Sequence, residues 1–96
     1  MKGLVISSAV RNKLDHKNPS VTEKEIAECF DNKCGINLID NREDNQTDPA
    51  TLWFIAETNR GRLLKVVYIF KDEKCHIKTA YDPNEVEIDI YEKYGK

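Results

Sequence analysis

Lys65, His76 and Lys78 are the residues in this chain whose types and spacing suggest chemistry. They fall in two apolar runs, residues 63–70 and 75–81, joined by the polar tetrad Lys71-Asp72-Glu73-Lys74. If that turn is symmetric, Phe70 lies opposite Cys75 and Val67 opposite Lys78, and strand alternation then sorts the side chains into two faces. Leu64, Val66, Tyr68, Phe70, Cys75, Ile77 and Thr79 form a core face, and Lys65, Val67, Ile69, His76 and Lys78 form a second face away from the helices. Two ammonium groups beside an imidazole can bind phosphate and move a proton near neutral pH. The same residues also suit an ordinary solvent-facing strand, where lysines discourage edge-to-edge pairing. Trp53 has two readings as well, a core residue or a platform on which bases stack. A one-residue error in the turn exchanges the two faces.

The elements that must hold these residues can be read from caps and periodicity. Residues 2–6 suit a short edge strand. Ser7 or Ser8 caps a helix running to about His16 with Val10 and Leu14 on one face, and Lys17-Asn18-Pro19-Ser20 breaks it. Thr22 and Glu25 form a capping box, Val21 and Ile26 a hydrophobic staple, and Ile26, Cys29 and Phe30 an apolar stripe that Gly35 ends. Ile36, Leu38 and Ile39 begin a sheet. Residues 52–58, 63–70 and 75–81 continue it as a meander, with Asn59-Arg60-Gly61-Arg62 as the first turn. Asp82-Pro83-Asn84-Glu85 then opens a last helix, with Asp82 as the cap and Val86, Ile90 and Tyr94 as the stripe facing the sheet, Tyr91 beside it. The expected fold is α+β in a single domain over residues 1–96: two N-terminal helices, a four-stranded antiparallel sheet and a C-terminal helix.

Composition narrows the function classes. Fifteen basic and seventeen acidic residues leave a net charge of −2, so no global positive field draws nucleic acid in. No apolar run approaches the roughly 20 residues that span a bilayer, and the short apolar start at Leu4-Val5-Ile6 is too brief for a signal-peptide core. These features point to a cytoplasmic protein that is not in the membrane. Three cysteines, Cys29, Cys34 and Cys75, suit reduced thiols better than a disulfide framework. A zinc set of these with His76 is disfavoured because neighbouring strand residues point to opposite faces. Residues 40–50 form a long acidic loop with Asp40, Glu43, Asp44 and Asp48, but Arg42 and Asn45 break the calcium-loop pattern. No metal or cofactor is expected.

The element order, with Gly61-Arg62-Leu63-Leu64 entering Val66-Val67, Ala80 at a strand end, and Glu87 and Tyr91 in the final helix, resembles the BrnT-like branch of the RelE/ParE toxin superfamily. Leu14, His16, Val21, Glu25 and Phe30 in the paired helices look similar too, although the Lys17-Asn18-Pro19-Ser20 break is longer than the family's turn. Members are small cytosolic ribonuclease toxins neutralised by a small antitoxin protein. The resemblance therefore implies a RelE-like fold, RNA as substrate and an antitoxin as partner. Under it Lys65 and Lys78 contact phosphate, His76 or Tyr81 moves protons, and Arg62 and Trp53 help bind the substrate. The family's usual Ala-Arg strand end is Ala80-Tyr81 here, and its basic final helix carries Glu85, Glu87 and Asp89. The chain is also similar to a group of uncharacterised small bacterial proteins with an acidic loop, a Trp-Phe-Ile-Ala-Glu-Thr strand and a Lys-Thr-Ala-Tyr strand end. These often carry an ADP-ribosyl-(dinitrogen reductase) hydrolase name, an activity of larger all-helical metal enzymes whose scaffold this chain does not reproduce. The alternative to a toxin is a non-catalytic protein-interaction domain on the same fold.

Overall fold

Local capping sets the first two helices. In the computed structural model, which describes residues 3–39 and 50–95, Ser7 caps α1 (Ser8–Asp15) by accepting from the Val10 N–H at 3.2 Å. The Thr22 and Glu25 capping box opens α2 (Glu23–Asn32), with reciprocal hydrogen bonds of 3.2 and 3.1 Å. Leu14, Val21, Ile26 and Cys29 are buried as the staple and stripe require. Gly35 does not end α2, which stops at Asn32. Its role is close approach instead: a Cβ there would collide with the Gly95 carbonyl and sit 2.7 Å from the Tyr91 hydroxyl. The acidic segment, residues 40–49, lies outside the described residues.

The sheet has five strands and is mixed, where four antiparallel strands were expected. Its order is β1-β5-β4-β3-β2, built from β1 (Leu4–Val5), β2 (Leu38–Ile39), β3 (Thr51–Glu57), β4 (Leu63–Lys71) and β5 (Lys74–Tyr81). The extra strand is the N-terminal edge segment, which runs parallel to β5 with Leu4 beside Cys75. Parallel pairing is available because α1, α2 and the β2–β4 strands all intervene between β1 and β5, so no tight turn has to join the pair. All other pairings are antiparallel.

A bulge in β5 corrects the expected faces. Phe70 does pair with Cys75, but Val67 pairs with Thr79, and Lys78 is the extra residue between Ile77 and Thr79. Beyond the bulge the phase flips. Ala80, fully buried, replaces Thr79 on the face of Val66 and Leu64, while Thr79 and Tyr81 join the face of Val67 and Lys65. Phe70, assigned to the core, is 51% exposed near the turn.

Each face of the sheet carries a helix over part of its length. Phe30 of α2 packs edge-on against Phe54 and Tyr68, with ring centroids 4.8 and 5.2 Å apart. On the opposite face Tyr91 of α3 (Glu85–Tyr94) lies 5.7 Å from the Trp53 ring. The second face expected to be free of helices is therefore covered around Trp53, Lys65 and Val67, all of which are buried.

The last helix departs from expectation in both start and phase. Asn84, not Asp82, is the cap, and Glu87 completes its capping box with hydrogen bonds of 2.8 and 3.1 Å. Asp82 is taken up by Arg62. Glu87, Ile88 and Tyr91 turn inward, and Val86, Ile90 and Tyr94, expected to face the sheet, are 66, 40 and 59% exposed.

The β4–β5 turn stores strain that a substitution can remove. Asp72 and Glu73 have φ of +55° and +61°, the left-handed pair of a type I′ hairpin turn, where glycine is favoured at the second position. Replacing Glu73→Gly is expected to raise stability by about 1 kcal/mol, read as a higher urea midpoint at unchanged slope.

Candidate functional site

The six sequence-selected residues separate into three places. Lys65, Tyr81 and Trp53 come together beneath α3, Arg62 sits at the sheet end, and His76 and Lys78 lie elsewhere on β5. His76 is paired with Ile69, four residues along β4 from Lys65, or about 13 Å at the usual strand rise. Its Nε2 lies 3.3 Å from the Lys71 carbonyl. The expected Lys65, His76 and Lys78 cluster does not form, because the bulge and the length of the strand divide it.

The group beneath α3 is a closed ion pair with an aromatic floor. Lys65 Nζ donates to Glu87 Oε2 at 2.7 Å, with the two side chains 7 and 17% exposed. The Tyr81 hydroxyl donates to the same oxygen at 2.7 Å. The ammonium also lies 4.4 Å from the Trp53 ring centroid and 5.6 Å from that of Tyr81, within cation–π range. Burial alone would raise the Glu87 pKa, but hydrogen bonds from Lys65, the Asn84 N–H and Tyr81 outweigh it and hold the carboxyl below its ordinary value. Tyr81 is pushed up, first by burial and then by donating to Glu87. A phenol held this way stays protonated at neutral pH and is a poor base. Glu87 is the site residue that sequence reasoning missed. Its signal was present at Asn84-Glu85-Val86-Glu87, an N-cap followed three residues later by glutamate.

Arg62 is likewise engaged within the fold. Its Nε donates to Asp82 at 2.8 Å and its Nη1 to Glu25 at 3.0 Å and to the Ser20 carbonyl at 2.8 Å. It thus joins the start of β4 to the α2 cap and the β5–α3 link. Burial pushes the Glu25 carboxyl up, but the Thr22 N–H and Arg62 more than offset it, and its pKa is lowered. Beside this tie is a shallow recess of about 270 Å³ lined by Lys17, Asn18, Pro19, Arg62, Tyr81 and Asp82. Lys17 Nζ lies 5.4 Å from the Tyr81 ring.

A larger cleft of about 660 Å³ opens between the end of β3 and α3. Ile55, Leu63 and Ile88 line it with Asn32, Glu57 and Glu92, and no lysine, arginine or histidine is among its lining residues. Cys34 also lines it, while Cys29 and Cys75 are buried. Burial pushes the Cys29 thiol up to about 12, with Glu25 and Glu28 adding to the effect, so it is not a nucleophile. Among the described residues no three His, Cys, Asp or Glu side chains are placed to hold a metal ion, and no helix is long and apolar enough to cross a membrane.

Removing the Glu87 charge tests whether this ion pair organises the fold. At pH 7, Glu87→Gln leaves the Lys65 ammonium buried without a counter-charge and is expected to cost about 3 kcal/mol. Lys65→Met added to it should recover part of that loss. Glu87 and Glu25 both have lowered pKa values in the fold, so their stabilisation is complete above the unfolded carboxylate range, about pH 4.3. It is lost as the pH falls through their lower folded values. Denaturant melts from pH 7 to pH 2 should therefore show a shallower acid loss for E87Q than for the wild type. Equal stability of E87Q and wild type at pH 7 would remove the pair from its organising role. Comparison with protein-family models, with curated proteins and with solved structures returned no match to this chain.

Proposed function

We propose that this chain is a non-catalytic protein-interaction domain whose docking face is the outer side of α3. The observation that carries this reading is the exposure of Val86, Ile90 and Tyr94, at 66, 40 and 59%, on a helix whose opposite side is already packed. Large apolar side chains at i, i+4 and i+8 make a continuous stripe, and stripes of this kind on a folded surface mark partner contacts. The state of the cations supports the same reading. Lys65 is enclosed by Glu87, Tyr81 and Trp53, and Arg62 is bound to Asp82 and Glu25, so neither presents a charge to a phosphate without breaking an internal pair.

A second reading has one observation in its favour. The recess at the sheet end brings Arg62 and Tyr81 together with Lys17, a grouping that suits a phosphate contact beside a proton donor. On this reading the chain is a toxin-like ribonuclease of the kind the sequence resemblance implies, held in check by a small antitoxin protein.

Expression in a bacterial host separates the two. The interaction-domain reading expects folded protein to accumulate with normal growth and intact transcripts. It also expects tagged wild type in its native cells to retain a stoichiometric protein partner that Ile90→Ser loses while keeping its fold. Growth arrest with transcript cleavage, abolished by Lys17→Ala and Tyr81→Phe, would establish the ribonuclease instead.

A further inference from the structure

The cleft between the end of β3 and α3 holds polar groups that the fold itself does not use. Its volume is about 660 Å³, within the roughly 300–1,000 Å³ of clefts that take small molecules. β2 pairs only with Leu52 and Trp53, so among the described residues the outer edge of β3 has no strand beside it from Phe54 onward. The Thr58 N–H donates to the Arg62 carbonyl at 2.8 Å. The unbroken β3–β4 register then directs the backbone of Phe54 and Ala56 toward β4 and that of Ile55 and Glu57 outward. Asn32 Nδ2 takes up the Glu57 carbonyl at 2.9 Å. The Ile55 N–H and carbonyl have no partner among the described residues, although Ile55 is only 7% exposed. Backbone groups so enclosed are ordinarily paired, and Ile55 lines the cleft.

The walls decide what can pair there. Ile55, Leu63 and Ile88 give an apolar floor. Glu57 and Glu92 also line the cleft, are exposed, and make no ion pair among the described residues. A third carboxylate stands near the rim, since Glu28 Oε1 accepts from the Asn59 N–H at 3.0 Å. With no cation in the lining, a phosphate or carboxylate ligand would meet only like charge, and a wholly apolar one would leave the Ile55 carbonyl unpaired.

We propose that this cleft binds a small organic amine. Its apolar body, about the size of one aromatic ring, rests on Ile55, Leu63 and Ile88, and its ammonium group lies between Glu57 and Glu92 with the Ile55 carbonyl as a further acceptor. The site is independent of the docking face of α3. At 100° per residue, Ile88 and Glu92 lie about 160° from the middle of the Val86, Ile90 and Tyr94 stripe, on another side of the helix.

Three probes with one body test the proposal: 3-phenylpropylamine, 3-phenylpropanol and 3-phenylpropanoate, each titrated into isotope-labelled full-length protein at pH 7. The amine is expected to give saturable shifts at Ile55, Glu57, Leu63 and Ile88 at concentrations below about 10 mM. The alcohol should bind at least about fivefold more weakly and the acid should not saturate. Combined Glu57→Gln and Glu92→Gln, both at exposed positions, should bring the amine down to the affinity of the alcohol and leave the alcohol unchanged, a pattern that loss of structure would not give. Salt should weaken the amine and not the alcohol. Equal binding of the three probes, shifts that lie off the cleft, no saturation by the amine, or an amine affinity that survives the double substitution would each overturn the proposal. None of these outcomes bears on the α3 docking face, which Ile90→Ser tests.

Discussion

One buried ammonium governs the α3 side of this molecule. Lys65 is the third residue of β4, flanked in sequence by Leu64 and Val66, and its side chain is 7% exposed. A charge taken that far from water must be paired and hydrogen-bonded or it costs several kcal/mol. Glu87 supplies the counter-charge from α3, Tyr81 donates to the same carboxylate oxygen, and Trp53 presents its ring face from β3. Three elements are thereby held in one relation, and the rotation of α3 about its own axis follows from it. Glu87 can reach Lys65 only if Tyr91 also turns inward, where it meets Trp53 and donates to the Ile36 carbonyl.

Arg62 performs the complementary task at the end of the sheet. It binds Asp82, two residues before the Asn84 cap of the last helix. The same guanidinium reaches Glu25, which is itself half of the α2 capping box, so two helix starts are linked through one side chain. Planar, multidentate donation of this kind is what arginine offers and lysine does not. The consequence for function is that Arg62, just before β4, and Lys65 within it both serve the fold.

The inward turn of Glu87 and Tyr91 has a cost on the opposite side of α3. Val86, Ile90 and Tyr94 are left in water, where Lys93 and Asp89 are exposed charged neighbours on the same helix. The packing of the interior and the exposure of the apolar stripe thus come from the same choice of helix phase.

Much of the architecture was legible in residue types. Thr22 with Glu25 and Ser7 located two helices, alternation located the three long strands, and Leu14, Val21 and Ile26 were identified as core, because caps and periodicity act within a few residues. The faces of β5 were half legible. Ile77 and Ala80 are three apart where strict alternation expects two, which is the mark of a bulge, yet the symmetric turn was the simpler reading. The last helix was ambiguous in principle. Val86, Ile90, Tyr94 and Ile88, Tyr91 are both apolar sets, and periodicity cannot say which one faces the sheet. By itself, then, the sequence determined where elements begin and which runs form strands and helices, since those choices are local. The tertiary structure alone decided that Lys65 and Arg62 are internal ties and that the last helix shows its apolar stripe to solvent. Those outcomes depend on which distant carboxylate reaches a buried cation, and that is set by packing across the sheet.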